Sequence, residues 1–229
     1  MSADLVLADP TYAETSLAWD RRVAGWPTLA RPLLARSGSL WCWGSMRSHR
    51  ETVADFDGWK FAQDVIWEKQ NGSGFADDRF KRVHEIVCHY YPSDVPWGEV
   101  YKRPLKSAGE RRPNAAIKSR TSGSHLGAIS GAGYEYTDER MARSVIFARN
   151  CHGYAENETQ KPEAMIRPLM EHSCPPGGLV LSLFTGSGTD LVVARSLGLR
   201  AIGVELREEQ CAVAVGRLAQ GVLDLGGLS

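Results

Sequence analysis

The sequence lacks any apolar run approaching the ~20 residues needed to span a bilayer, and no secretory leader opens it. A soluble, cytoplasmic protein with no membrane partner is the expectation. It also lacks an excess of either charge. Lys and Arg number 27 and Asp and Glu number 27, so attraction to a polyanion has to come from a local patch. The five cysteines (Cys42, Cys88, Cys151, Cys174 and Cys211) are odd in number, widely spaced and form no C-x-x-C pair. That excludes a disulfide framework and a zinc site and suits a reducing compartment. His84 and His152 have no metal-ligand spacing, and no metal is expected. With 229 residues, 43% hydrophobic and 24% charged, what remains is an ordinary globular chain, long enough for one domain carrying an insertion or for one and a half domains.

Short apolar runs punctuated by turn residues mark the strands. Asp4–Ala8 is stopped by Asp9-Pro10, and Leu40–Trp43 by Gly44. Ala62–Trp67 and Glu85–Tyr91 are rich in β-branched and aromatic residues. From about Lys102 to Gly133 the apolar periodicity gives way to Gly, Ser, Pro and Arg, an excursion from the core. Lys102, Arg103, Lys106, Arg111, Arg112, Lys118 and Arg120 gather there against Glu110 alone. Order returns with a helix over Pro162–His172, whose Met165, Ile166, Leu169 and Met170 share one face. A strand (Leu179–Phe184), a tight turn (Gly186-Ser187-Gly188), a helix (Thr189–Leu197), a strand (Arg200–Glu205) and a helix (about 207–220) follow. That order predicts an α/β fold with a mostly parallel sheet flanked by helices.

Two turns carry chemistry. In Phe184-Thr185-Gly186-Ser187-Gly188-Thr189, glycines sit where a buried strand meets a helix, so backbone can approach a ligand closely. The helix start presents free N–H groups to an anion. Glu205 closes the next strand about 20 residues on, the spacing at which an acidic side chain takes ribose hydroxyls. No Lys-Ser or Lys-Thr pair follows the glycines, which excludes a phosphate loop. By itself such a turn also serves as plain strand–helix punctuation. The second turn, Asp9-Pro10-Thr11-Tyr12, suits an amine acceptor. An exocyclic base nitrogen is a poor nucleophile because its lone pair is delocalised into the ring. A carboxylate (Asp9) and a carbonyl (Pro10) accepting its N–H groups would favour attack, while an aromatic face (Tyr12) stacks on a base rotated out of the duplex.

Together these residues resemble the β-type amino-DNA methyltransferases, which act on N6 of adenine or N4 of cytosine. Asp9-Pro10-Thr11-Tyr12 is similar to the family's D-P-P-Y motif. Trp67-Glu68-Lys69-Gln70-Asn71, with Arg79 and His84-Glu85-Ile86, is similar to its W-x-K-x-N … R … H-E pattern. Thr159-Gln160-Lys161-Pro162 is similar to T-Q-K-P, and Phe184–Thr189 to F-x-G-S-G-T. The matches keep the β-type order across nearly the whole chain. The chain departs at Thr11, where proline is usual, at Ser182-Leu183, where Asp-Pro is usual, and at Asp190, where threonine is usual.

The resemblance implies a Rossmann-like sheet whose strands ending at Asp9 and Phe184 lie side by side. It implies S-adenosylmethionine as methyl donor, held by Thr159, Lys161, Phe184, Gly186, Ser187, Gly188, Thr189 and Glu205. Asp9, Pro10 and Tyr12 are the expected catalytic residues. Double-stranded DNA is the expected partner, contacted by the basic residues between Lys102 and Arg120. Residues 1–101 form the catalytic half of one domain, 102–155 a target-recognition insertion and 156–229 the cofactor half. The implied reaction is adenine-N6 methylation of a restriction-modification type, in the cytoplasm of a bacterial or phage-infected cell. N4-cytosine methylation and a catalytically weakened DNA-binding relative are the alternatives, and a homodimer is left open.

Overall fold

The computed structural model describes residues 2–73, 77–108, 139–151 and 160–220. Thr159, His152 and the basic residues Arg111, Arg112, Lys118 and Arg120 lie outside them. The chain divides into two compact units, Met1–Arg103 with Arg143–Ser229, and Pro104–Ala142.

Within the larger unit the described strands are β1 (Ala3–Ala8), β2 (Leu34–Gly44), β3 (Trp59–Ser73), β4 (Arg82–Pro92), β7 (Val145–Phe147), β8 (Leu179–Leu183) and β9 (Arg200–Val204). They form one sheet in the order β7-β3-β4-β2-β1-β8-β9. β2, β1, β8 and β9 run parallel, as does β7 beside β3, while β4 is antiparallel to both its neighbours. Helices α1 (Trp26–Ala30), α2 (Met46–Thr52), α3 (Glu163–Ser173), α4 (Thr189–Ser196) and α5 (Glu208–Ala219) complete the unit. In the smaller unit, β5 (Lys106–Ala108) pairs antiparallel with β6 (Glu139–Met141).

β1 shows why the sheet has two covered faces. Successive side chains of a strand point to opposite faces, and here both sets are apolar. Leu5 and Leu7 enter one core with Trp41, Trp67, Val180 and the α3 stripe Met165, Ile166, Leu169 and Met170. Val6 and Ala8 enter the other with Trp26, Leu40, Phe56, Trp59 and Leu181. A strand buried on both sides loses the polar alternation of a half-exposed one, and Leu-Val-Leu-Ala reads as a continuous run for that reason. Trp41, Trp43 and Trp59 are buried in these cores, whereas Trp97 packs at the surface against Tyr91 and Lys102.

Pairing of β1 with β8 in parallel register sets Ala8 beside Leu183, and the Asp9 amide continues the ladder to the Leu183 carbonyl. The Asp9 turn and the glycine turn therefore open on the same end of the sheet, at the carboxyl ends of adjacent strands, where α/β sheets bind ligands.

Candidate active site

Asp9 leaves β1 into a loop whose shape is fixed by one carboxylate. Asp20, almost wholly buried, accepts hydrogen bonds from the amides of Ala13 (2.8 Å), Glu14 (3.0 Å) and Thr15 (2.8 Å) and from the Thr15 hydroxyl (2.7 Å). Burial would raise this carboxyl, but the hydrogen bonds from Thr15, Ala13 and Glu14 hold it below the usual carboxylate range. Ala13 takes a positive φ of 55° within this turn. Thr11, in place of a second proline, donates its hydroxyl to the Arg21 carbonyl and so ties the start of the loop to its end. Trp19, which follows in the same loop, lies under the Arg207 guanidinium, 4.7 Å from the ring centroid. That places it toward the Glu205 side of the crevice.

Around Asp9 the structure assembles a charge network from four separate elements. Lys161, just before α3, puts Nζ 2.6 Å from Asp9 Oδ2 and 3.5 Å from Glu85 Oε2. Lys69 of β3 pairs with the other oxygen of Glu85 on β4. The Tyr12 hydroxyl donates to Asp9 Oδ1 at 3.0 Å and stands 3.4 Å from Glu85 Oε2. Two cations thus balance two carboxylates in a region largely shut off from water. Burial would lower the Lys161 ammonium, yet Asp9 and Glu85 push it up to about 12. Burial raises Asp9 above its usual range, with Lys161 pulling the other way. At Glu85 burial also acts upward, but Lys161 and Lys69 together hold it low. Tyr12, buried beside both carboxylates, is held firmly protonated.

A cavity of about 260 Å³ adjoins Glu85, lined also by Glu14, Ser45, Arg47, Arg82 and His84.

On the β8 side, three residues of the turn take left-handed backbone: Phe184 (φ 63°), Gly186 (52°) and Gly188 (77°). Phe184 holds this sparsely populated conformation without being glycine, braced edge-on by Trp26 at 5.7 Å. At Gly188 a Cβ would stand 2.7 Å from the Ala214 Cβ, so only glycine lets α5 pack this close. Glu205 follows β9 and folds its carboxylate back onto the turn, accepting from the Gly186 amide at 2.8 Å and the Arg207 amide at 2.9 Å. Arg217 of α5 donates to the Ser187 carbonyl (2.9 Å) and to the Thr189 hydroxyl (2.9 Å), tying the turn to the start of α4. The Gln160-Lys161 pair bridges the two turns. The Ser187 hydroxyl donates to Gln160 Oε1 at 3.2 Å, while Lys161 reaches Asp9.

The structure thus brings Asp9, Pro10, Tyr12, Lys161 and the glycine turn with Glu205 to one crevice. Of the basic residues, Lys102, Arg103 and Lys106 fall among the described ones. Lys102 donates to the carbonyls of Trp97 and Val100, and Arg103 pairs with Glu171 at 3.7 Å, so both are engaged with the larger unit. Lys106 belongs to β5. Asp20, Lys69, Glu85 and Asp190 were assigned no role from sequence. Lys69 and Glu85 did carry a signal, their place in the W-x-K-x-N … H-E pattern, but Asp20 had none.

A family model described as DNA methylase matches residues 3–216. The chain is 26% identical over 199 residues to the Type II methyltransferase M.HinfI of Haemophilus influenzae, covering 85% of this chain and 50% of that protein. It is 24% identical over 195 residues to the Type II methyltransferase M2.DpnII of Streptococcus pneumoniae, covering 84% and 65%. The chain therefore spans about half to two thirds of the length of these relatives. Its fold is similar to the crystal structure of M1.HpyAVI (TM-score 0.64, 18% identity, 96% and 90% of the two chains). It is likewise similar to that of the cytosine-N4-specific PvuII DNA methyltransferase (TM-score 0.63, 14% identity, 100% and 82%).

Proposed function

The chain belongs to the DNA methylase family of amino-DNA methyltransferases, and from that premise we propose that it moves a methyl group from S-adenosylmethionine to N6 of adenine in double-stranded DNA. The observation that carries the reading is the adjacency of the two turns. An amine-accepting carboxylate at the end of β1 opens on the same crevice as a glycine turn backed by Glu205.

The residues present fit the donor. The Glu205 carboxylate, which already accepts from the Gly186 amide, would take ribose hydroxyls, and Gly186 and Gly188 would let backbone approach the donor closely. When bound, S-adenosylmethionine supplies an electrophilic methyl on a sulfonium leaving group. M1.HpyAVI has also been solved as a complex with SAM.

Asp9 and the Pro10 carbonyl would accept the two N–H groups of the target amine. With the donor supplying the methyl, these two acceptors would hold the amine for attack, and Asp9 Oδ1 would take up the proton that the methylated nitrogen gives off. Both Asp9 oxygens are engaged before substrate arrives, Oδ2 by Lys161 and Oδ1 by Tyr12. Lys161 can stay, keeping the carboxylate oriented. The Tyr12 hydroxyl has to yield Oδ1 to the amine, and Glu85 Oε2, already 3.4 Å away, is its alternative acceptor. The tyrosine ring would then stack on the extruded base. Asp at the first catalytic position favours adenine over cytosine. The basic residues from Lys102 to Arg120 would track phosphates as the target-recognition segment.

The test is to incubate the protein with methyl-labelled S-adenosylmethionine and unmodified DNA and to identify the labelled nucleoside. N6-methyladenine supports the reading. N4-methylcytosine would move it to the other amine, and labelling of no base would remove it.

A further inference from the structure

We infer that Asp190 is a cofactor-binding residue whose carboxylate, held by Ser182, receives the α-ammonium group of the methyl donor. The inference rests on the S-adenosylmethionine reading above and adds to it a residue on α4.

Ser182 is wholly buried in β8, in register with Leu7, and so lies one ladder step behind the end of the strand pair. Its hydroxyl is 2.7 Å from Asp190 Oδ2 and 3.0 Å from Thr185 Oγ1. Those bonds draw a side chain from the first turn of α4 back toward the carboxyl end of β8. Because Ser182 pairs with Leu7, two residues before Asp9, its bond brings Asp190 to the Asp9 end of the strand pair.

Among the described residues no Lys or Arg comes within ion-pair distance of Asp190. The other buried acidic groups of the crevice are provided for, since Asp9 and Glu85 share Lys161 and Lys69, and Glu205 takes two backbone amides. Asp190 accepts from the Ser182 hydroxyl and, among the described residues, pairs directly with no cation, Lys161 acting on it only from a distance. Burial accordingly raises its carboxyl to about 6, with the Ser182 hydrogen bond opposing. A carboxylate kept half-buried without a counter-ion at a ligand crevice is satisfied when the ligand brings the cation.

The proposed donor carries two positive centres. The sulfonium has no N–H or O–H to give, whereas the ammonium donates up to three hydrogen bonds. One Asp190 oxygen is committed to Ser182 and acceptor sites remain, a geometry suited to the ammonium. Of the positions at which this chain departs from the family pattern in the cofactor half, Ser182 and Asp190 are in direct contact. A carboxylate delivered from the helix and steadied by a serine on the strand makes a single unit of them.

Asp190→Asn keeps shape and loses charge. Calorimetric titration of wild type and variant with three ligands tests the inference: S-adenosylmethionine, S-adenosylhomocysteine and methylthioadenosine, which lacks the amino-acid portion. The expected result is roughly 10- to 100-fold weaker binding of the first two, since a charge-assisted hydrogen bond is lost, with methylthioadenosine unchanged. The exchange Ser182→Asp with Asp190→Ser, which reverses the same hydroxyl–carboxylate pair, should recover most of the lost affinity. Unchanged binding of S-adenosylmethionine to Asp190→Asn would overturn the inference. Equal weakening of all three ligands would also overturn it, because the residue would then be acting on the fold. A folded wild type that does not bind S-adenosylmethionine at all would instead strike the donor reading itself, taking the inference with it.

Discussion

Lys161 Nζ stands 2.6 Å from Asp9 Oδ2, an ion pair between residues 152 positions apart in the chain. It joins the Asp9 turn to the Thr159–Pro162 stretch and does so in a poorly hydrated place, the lysine side chain being 7% and the aspartate side chain 23% exposed. In a buried pair the loss of one partner matters more than the attraction itself, because the survivor is left uncompensated. Lys161 serves two carboxylates, which sharpens the effect.

Lys161→Met should therefore destabilise the protein by about 3–5 kcal/mol near neutral pH. Asp9, already raised by burial, then loses the cation that pulls it down, so its folded-state pKa lies further above its unfolded one, while Glu85 keeps Lys69. The penalty is present at neutral pH and relieved as the pH falls and Asp9 protonates. Urea unfolding at pH 7.5 and pH 4.5 checks this, and a stability loss of the same size at both would show that Lys161 does not act through these carboxylates.

Glu205→Ala should weaken S-adenosylmethionine binding by about 1.5–3 kcal/mol, through loss of a charge-assisted hydrogen bond to the ribose. The substitution also frees the amides of Gly186 and Arg207, so Glu205→Gln, which keeps an acceptor for them, belongs beside it. Calorimetry showing wild-type affinity in both variants would take Glu205 out of the cofactor site.

The extent to which the chain declares all this in advance follows the range of the interactions. β1, β8 and β9 are continuous apolar runs ending at turn residues, and α3 carries a clean apolar stripe, so local pattern suffices for them. α2 begins with a capping box in which Ser45 and Ser48 bond reciprocally. Serine in place of Glu or Gln at the fourth position hides the usual signature. β7 is three residues long and earns its place by pairing with β3, some eighty positions earlier. Asp20 organises its loop through backbone amides, which have no residue code. The Lys69–Glu85–Lys161 linkage needs three elements in register before any of its members looks charged for a reason.

Asp190 offers a stability test separate from binding. Its carboxyl is raised to about 6 in the folded chain, above its ordinary 3.8. A raised folded-state value favours folding below the unfolded pKa, and that advantage is lost as pH rises through about 6. Asp190→Asn should then be more stable than wild type at pH 7.5, on the order of 2 kcal/mol, with the gap closing toward pH 4. Thermal melts across that range check it, and a gap independent of pH would mean that the carboxylate is not strained by burial.

Neutralising Arg111, Arg112, Lys118 and Arg120 together should weaken DNA binding and flatten its dependence on salt, since each phosphate contact removed lowers the slope of log affinity against log salt by about 1. S-adenosylmethionine binding should be unaffected. A salt slope that does not move would place the DNA contact elsewhere.

The central test is Asp9. If its carboxylate accepts the target amine, Asp9→Ala should slow methyl transfer on the order of 100- to 1,000-fold, by analogy with the loss of one preorganised group in an oxyanion hole. S-adenosylmethionine binding should stay within a few-fold of wild type. The ion pair complicates the alanine variant, because it strips Lys161 of its nearest partner and leaves Glu85 to hold two cations. Asp9→Asn keeps an acceptor oxygen toward Lys161 and is the better-behaved companion. Tyr12→Phe, which removes the hydroxyl that occupies Asp9 Oδ1 but retains the stacking face, should keep part of the activity, whereas Tyr12→Ala should lose the capture of the extruded base. Each variant has to unfold cooperatively near wild type before its rate is read. A well-folded Asp9→Ala that methylates DNA at the wild-type rate would show that the turn after β1 is not where the chemistry happens, and the cofactor crevice would then serve an acceptor bound some other way.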